Sequence, residues 1–210
     1  MTRILYFAIF LFAILLTSCG DEIILDNGGT NNPEPLILNE PCHYNITLLD
    51  TPYKQDADNG NQSCITGSGG SIDPNTGMAT TIPSAGLIDI NAGYGLEISR
   101  GTLSYNVTNG SRPGNVNFAS LFEAGDYPFS RDAEAGFQLD FMDDDGITWS
   151  SSKGDAINNS NWLTITESIS GQVDGRFFVT IRADYSCSVA NDAGEIKGCS
   201  GEFVMTFENN

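Results

Sequence analysis

The chain predicts an all-β fold: an antiparallel β-sandwich, jelly-roll-like, or a small barrel, with at most one short helix. Three observations carry this. Apolar and polar residues alternate with a period of two in several short runs. Clusters of Gly, Asn and Asp separate those runs at the spacing of turns. Only Val116–Glu123 reads as a short helix. The 210 residues, 40% hydrophobic and 10% aromatic, suffice for one domain with a buried core. A formal charge of −18 repels phosphate backbones, which argues against nucleic acid as a partner. The single histidine, His43, allows no His-rich metal site and leaves a Ser–His or Cys–His mechanism one residue to rest on.

The first element is not part of that body. Arg3 precedes thirteen apolar residues, Ile4 to Leu16, too few for the roughly 20 that span a bilayer. A charged start, a short apolar run and small residues make a secretory signal. Leu16-Thr17-Ser18-Cys19 resembles the bacterial lipobox. The resemblance implies cleavage after Ser18, acylation of Cys19 and a membrane anchor of several acyl chains. Residues 1–18 are then a lipoprotein signal peptide. Gly20-Asp21-Glu22 resembles the surface-export signal of Bacteroidetes-type lipoproteins, which implies an outer-membrane address facing the cell exterior. Residues 19–41, rich in Gly, Asn and Pro, read as a tether of about 25 Å reach. Residues 42–210 form a single domain.

The body is then read in order. Tyr44–Leu48 alternates as a strand, with His43 at its exposed edge. Asp56–Thr81 is polar and glycine-rich and reads as a long loop, fixed at Cys64. Leu87–Ile90, Leu96–Ile98 and Leu103–Val107 follow as strands, and the change of inward parity between Ile98 and Leu103 places a bulge or tight turn at Arg100-Gly101. Phe137, Leu139 and Phe141 face inward, Asp143-Asp144-Asp145-Gly146 turns the chain, and Ile147 and Trp149 resume the inward face, with Trp149 near Leu139. Leu163–Thr166 is a further strand. Phe177, Val179, Ile181, Ala183, Tyr185 and Cys187 then alternate with polar neighbours. Asn191-Asp192-Ala193-Gly194 turns, and Cys199, Phe203, Met205 and Phe207 return on the same face. Folded about residue 193, Ala183 meets Phe203, Ile181 meets Met205, Val179 meets Phe207 and Cys187 meets Cys199. Four cysteines remain once Cys19 carries lipid. An exported chain uses an even number in disulfides, so the register predicts Cys187–Cys199, and Cys42–Cys64 follows by elimination. The absence of a CxxC pair argues against a metal reading of these thiols.

The stretch from Gly136 through Asp143-Asp144-Asp145-Gly146 to Trp149-Ser150-Ser151, with the strands after it, resembles a family of secreted β-rich lipoproteins of unknown function from the same bacterial group. It covers about the last 90 residues. It implies a fold and an address, and no activity.

Candidate chemistry is sparse. Asp143, Asp144 and Asp145 are the metal candidates, since Ca²⁺ takes clustered carboxylates, but Phe141 falls where an EF-hand needs its first ligand. They read as a solvated hairpin turn, with a weak surface Ca²⁺ site (Asp140 or Asp155 contributing) as the alternative; no cofactor is expected. A glycan hydrolase needs two carboxyls about 5 to 9 Å apart across a cleft, whereas Glu97, Glu123, Glu167 and Glu202 stand isolated in sequence, Glu167 continuing the inward parity of Leu163 and Ile165. No serine sits in a Gly-x-Ser-x-Gly elbow, and no P-loop lysine follows the glycines at 67–70. Trp149 is expected in the core. Trp162, opposite in parity to Leu163 and Ile165, points outward, as a platform for a sugar ring or a partner or folded over the sheet margin against a loop. Phe178 is its expected neighbour and Tyr127 a contributor from a turn. The expectation is a lipid-anchored, non-catalytic lipoprotein that binds a glycan or a partner protein. The alternatives are a carboxylate-based glycan hydrolase and a passive structural envelope lipoprotein.

Overall fold

A computed structural model describes residues 41–57, 62–89, 93–107, 112–129, 136–153 and 161–210. Cys19, Asp155 and the whole anchor and tether region before residue 41 lie outside them. The described chain is all-β: twelve strands in one open antiparallel sheet. The strands are β1 His43–Leu48, β2 Thr51–Asp56, β3 Gln62–Asp73, β4 Met78–Asp89, β5 Gly95–Arg100, β6 Leu103–Asn106, β7 Gly125–Tyr127, β8 Phe137–Met142, β9 Thr148–Ser150, β10 Trp162–Val173, β11 Arg176–Ala190 and β12 Ile196–Asn209. A single short helix, α1 Asn115–Ser120, is present among the described residues.

The sheet folds on itself. One half runs β2-β1-β12-β11-β10-β7 and the other β9-β8-β5-β4-β3, with β6 beside β4. The halves join at Ala190↔Ser150 and at the Phe129↔Phe137 bridge. Between them lies the core predicted from parity, with Tyr44, Ile46, Val179, Ile181, Phe203 and Phe207 of one half against Leu87, Leu96, Ile98, Leu139, Phe141 and Trp149 of the other. The Tyr44 and Phe141 rings meet edge-on at 6.3 Å across the interior, an arrangement that suits the aromatic quadrupole. Phe118 of α1 and Phe122 plug one end, where Phe122 stacks against Phe207 at 4.5 Å.

The C-terminal hairpin has the predicted register: Ala183↔Phe203, Ile181↔Met205, Val179↔Phe207 and Cys187↔Cys199. The disulfide expected there is not formed; Cys187 and Cys199 are buried free thiols. The pattern of backbone bonds explains this. Asn191 N donates to Glu195 O, whereas Gly198 O turns away to accept from Leu49 N and Ser188 N turns away to Asn161. By alternation Cys187 and Cys199 are a hydrogen-bonded pair. Such pairs hold their Cβ atoms near the wide end of about 4.5–5.5 Å, beyond the roughly 3.8 Å that a disulfide prefers. The thiols instead contact one another, and with burial that contact holds the Cys199 thiol well above its ordinary pKa. Cys42 is disulfide-bonded; the side chain of Cys64, on β3, lies outside the described ones.

Other expectations are corrected. The loop over Asp56–Thr81 is instead β3, the start of β4 and the end of β2, with Asp73–Gly77 as the turn between β3 and β4. Its glycines hide the alternation because β3 is an edge strand held by backbone bonds to β4. Trp149 opposes Phe141, not Leu139, because the turn is centred on Asp145, with Asp143 and Ile147 facing each other across it, and Ile147 is 38% exposed. The parity change after Ile98 is a bulge: Ser84 pairs Ser99 and Thr81 pairs Leu103, so three residues oppose two. A register shift between Ile165 and Glu167 turns Glu167 outward, where Arg182 Nε lies 3.7 Å from it. His43 is not at an edge, since β1 lies between β2 and β12.

Candidate glycan-binding face

Register across the first half of the sheet aligns outward side chains from distant parts of the chain. One line runs Trp162, Ser186, Ser200, Thr47, Pro52 over β10, β11, β12, β1 and β2. The next runs Asp126, Thr164, Asp184, Glu202, Asn45, Lys54, and begins on β7. Every strand contributes because each alternates: its apolar residues face the core, and the polar ones must face out. The outer surface of β1, β2, β11 and β12 dips into a groove of about 510 Å³ lined by Asn45, Thr47, Lys54, Asp184, Ser200 and Glu202 among others. Gly201 lets β12 approach β1 closely, since a Cβ there would collide with the backbone carbonyl of Asn45.

Within the groove Asn45 Nδ2 donates to Glu202 Oε1 at 2.6 Å, which fixes the amide and leaves its carbonyl as an acceptor. At the margin Thr164 Oγ1 donates to Asp126 Oδ1 at 2.5 Å. Trp162 is 43% exposed and stands two strand spacings from Ser200, about 10 Å. The face therefore offers one aromatic plane, hydroxyls that both donate and accept, a fixed amide and carboxylates that accept.

The other candidates go elsewhere. Phe178 is not beside Trp162: Trp162 opposes Ser186, eight residues along β11 from Phe178, which is about 26 Å. Its ring lies 5.7 Å from the Arg176 guanidinium, which pairs with the buried Glu208. Tyr127 belongs to β7 and is structural. Its ring packs edge-on to Phe137 at 5.5 Å with the Arg100 guanidinium 4.6 Å above it, and its hydroxyl donates to Glu123 O. Tyr127 is spent on closing that end of the sheet.

The acidic turn is also structural. Asp143 is 4% exposed. Its Oδ1 accepts from Asp145 N and Ile147 N, and its Oδ2 accepts from the Trp149 indole at 2.8 Å. Asp144 accepts from the Tyr53 hydroxyl, whose pKa is pushed up to about 12 by burial and by that carboxylate. The carboxyl of Asp143 is thus turned to the chain's own donors and away from a Ca²⁺ ion. Among the described residues no three His, Cys, Asp or Glu side chains are grouped to hold a metal.

Two acids read as isolated in sequence have an acidic neighbour. Glu97 opposes Asp140 across β5 and β8; burial and that charge push the Glu97 carboxyl above its ordinary value. Glu202 opposes Asp184 within the groove. Sequence reasoning found Trp162 and missed the groove beside it. The signal was present in the even-numbered polar positions Asp184, Ser186, Ser200 and Glu202, which alternate with the apolar ones. Comparison of the chain with protein-family models, with curated proteins and with solved structures gave no match.

Proposed function

We propose that this chain is a lipid-anchored envelope protein that binds glycan, without catalysis, on the outward face carrying Trp162. The observation that carries the reading is the half-exposed indole two strands from a groove of about 510 Å³ lined by both polar and apolar side chains. A sugar presents an apolar C–H face and a rim of hydroxyls; an aromatic plane matches the first, and fixed amide, hydroxyl and carboxylate groups match the second. A protein partner would be better served by a wider contiguous apolar patch, whereas this groove interleaves Asn45, Thr47, Lys54, Asp184, Ser200 and Glu202 with Ile46, Pro52 and Tyr53. The lipobox-like Leu16–Cys19 and the Gly/Asn/Pro-rich segment after it support an anchored body held slightly off a membrane, and the resemblance of Gly20-Asp21-Glu22 to a surface-export signal supports a cell-exterior face.

The test is binding of purified full-length protein, in mild detergent, to a panel of soluble polysaccharides by calorimetry. Trp162→Ala is expected to weaken binding several-fold, up to about tenfold, with thermal unfolding unchanged because the indole is not in the core. Unaltered binding by Trp162→Ala, or no binding to any glycan beside capture of a protein from intact cells, would end the glycan reading. Release of new reducing ends from a bound polysaccharide would convert it to hydrolysis by Asp184 and Glu202. Labelled palmitate incorporated at Cys19, and lost in Cys19→Ser, tests the anchor.

A further inference from the structure

We infer that Cys187 and Cys199 form a Cu(I) site on the core side of the C-terminal hairpin, the two sulfurs holding the ion in line between them. The residues face one another across β11 and β12 and are buried free thiols, 6% and 3% exposed. As a hydrogen-bonded pair their Cβ atoms stand near the wide end of about 4.5–5.5 Å, too far for a disulfide. An ion spans that distance, since thiolate bonds of about 2.3 Å set two sulfurs in line about 4.6 Å apart. The ligand set then chooses the ion. Thiolates select soft metals: Cu(I), Zn(II) and iron–sulfur clusters. A structural Zn(II) takes four ligands and a cluster four cysteines, and among the described residues no third His, Cys, Asp or Glu joins the pair. Cu(I), with its filled d shell, is satisfied by two thiolates. A CxxC spacing is not needed, because strand pairing brings together the cysteines that the sequence keeps apart.

A second observation points to the same place. Tyr185, two residues from Cys187 on the same face of β11, is 2% exposed. Its hydroxyl lies beside the Cys199 thiol yet completes no hydrogen bond, a costly state for a buried O–H. A neutral thiol sulfur is a weak acceptor, whereas a thiolate accepts a charge-assisted bond. Binding Cu(I) sends both thiol protons to solvent, so the site passes from neutral to one negative charge. The Tyr185 hydroxyl then has an acceptor in the Cys199 sulfur. Lys197, two residues from Cys199 on the same face and about 7 Å along the strand, brings a compensating charge, its ammonium 4.0 Å over the buried Trp149 ring. The pair sits at the rim of the core: Leu48 faces Cys199, and Leu49, in the exposed turn after it, donates to Gly198 O. The ion therefore has a short way in from solvent.

The test titrates the full chain, purified anaerobically in mild detergent with a thiol-free reductant, against Cu(I) held by a chromophoric chelator. One Cu(I) per chain is expected, not displaced by excess Zn(II), with two sulfur neighbours and no nitrogen in the copper X-ray absorption spectrum. Cys187→Ser and Cys199→Ser should each abolish that uptake. Tyr185→Phe, which keeps the ring in the core, should weaken it about tenfold at unchanged stoichiometry. The absorption spectrum needs no variant, so it decides the question even where a serine variant fails to fold. No uptake, nitrogen or oxygen ligands in the spectrum, or equally tight binding by the Cys187→Ser, Cys199→Ser double variant would overturn the site. A Cys187–Cys199 disulfide in chain alkylated and recovered from intact cells would overturn it as well, since those sulfurs would not be free to bind.

Discussion

The hairpin turns at Asp143–Ile147 and Asn191–Glu195 close with the same backbone bonds. In each, the fourth residue is a glycine that donates back to the first residue's carbonyl, and the first residue's N–H donates to the fifth residue's carbonyl. Gly146 and Gly194 take φ of 74° and 81°, the left-handed position of a three-residue hairpin loop with a bulge. In each, the first side chain's oxygen accepts from the third and fifth backbone N–H groups. The difference is what else that side chain holds. Asn191, 7% exposed, adds a bond from its amide to the exposed Glu195 of the same turn, whereas Asp143 adds the indole of Trp149, which is 0% exposed. One turn is a fastening of the chain to itself; the other also satisfies the largest side chain in the core.

That difference is breakable. Asp143→Ala should be the more damaging variant, by about 3 kcal/mol in urea unfolding, because it leaves a buried indole donor unpaired as well as two backbone groups. Trp149→Phe removes the orphaned donor, so in the Asp143→Ala background it should cost less than it does alone, a coupling that a double-mutant cycle reads directly. Asn191→Ala should cost about 1 kcal/mol, the worth of its turn bonds. Equal losses from Asp143→Ala and Asn191→Ala would show that the indole bond adds nothing to the turn.

How legible the two turns were follows from the same comparison. Both had their sequence signal, four residues ending in glycine between alternating runs, and the β11–β12 register could be written down from Val179 to Cys187 because one turn fixes every later pair. The tighter turn between β10 and β11, Asp174-Gly175 with φ of 51° and 78°, carried an equally plain signal that went unread. β3 was illegible for a physical reason: Gly67, Gly69 and Gly70 present no side chain whose direction could alternate. The candidate site was half legible. Parity put Trp162 and the polar residues outward, but the groove needs β1 beside β12, which brings Asn45 to Glu202 across 157 residues, and no local pattern encodes that pairing. The disulfide failed because parity names the facing residue without saying which pairs are hydrogen-bonded.

A third kind of turn sharpens the rule. Between β1 and β2, Leu49 holds φ of 52° with its side chain 60% exposed, so a residue that pays for the left-handed region gains no packing there. Leu49→Asn should raise stability by about 0.5 kcal/mol, readable as a higher urea midpoint at unchanged slope. Glycine would relieve the same strain but add freedom to the unfolded chain, so its gain should be smaller.

The smallest effect is expected at Asp73, where the turn between β3 and β4 repeats the Asp143 device in solvent. Asp73 Oδ1 accepts from Asn75 N and Oδ2 from the Thr76 hydroxyl. Those bonds hold its carboxyl below the ordinary carboxylate value. A carboxyl depressed in the folded state adds stability above its unfolded pKa, and that contribution is lost as pH falls through the folded one. Asp73→Asn should therefore cost a little at neutral pH and nothing once both forms of the carboxyl are protonated, so the wild-type and variant urea midpoints should converge on acidification. The aspartate at 143 is set apart from this one by burial, not by turn geometry. Midpoints that stay apart in acid would mean that the Asp73 turn depends on its shape and not on its charge.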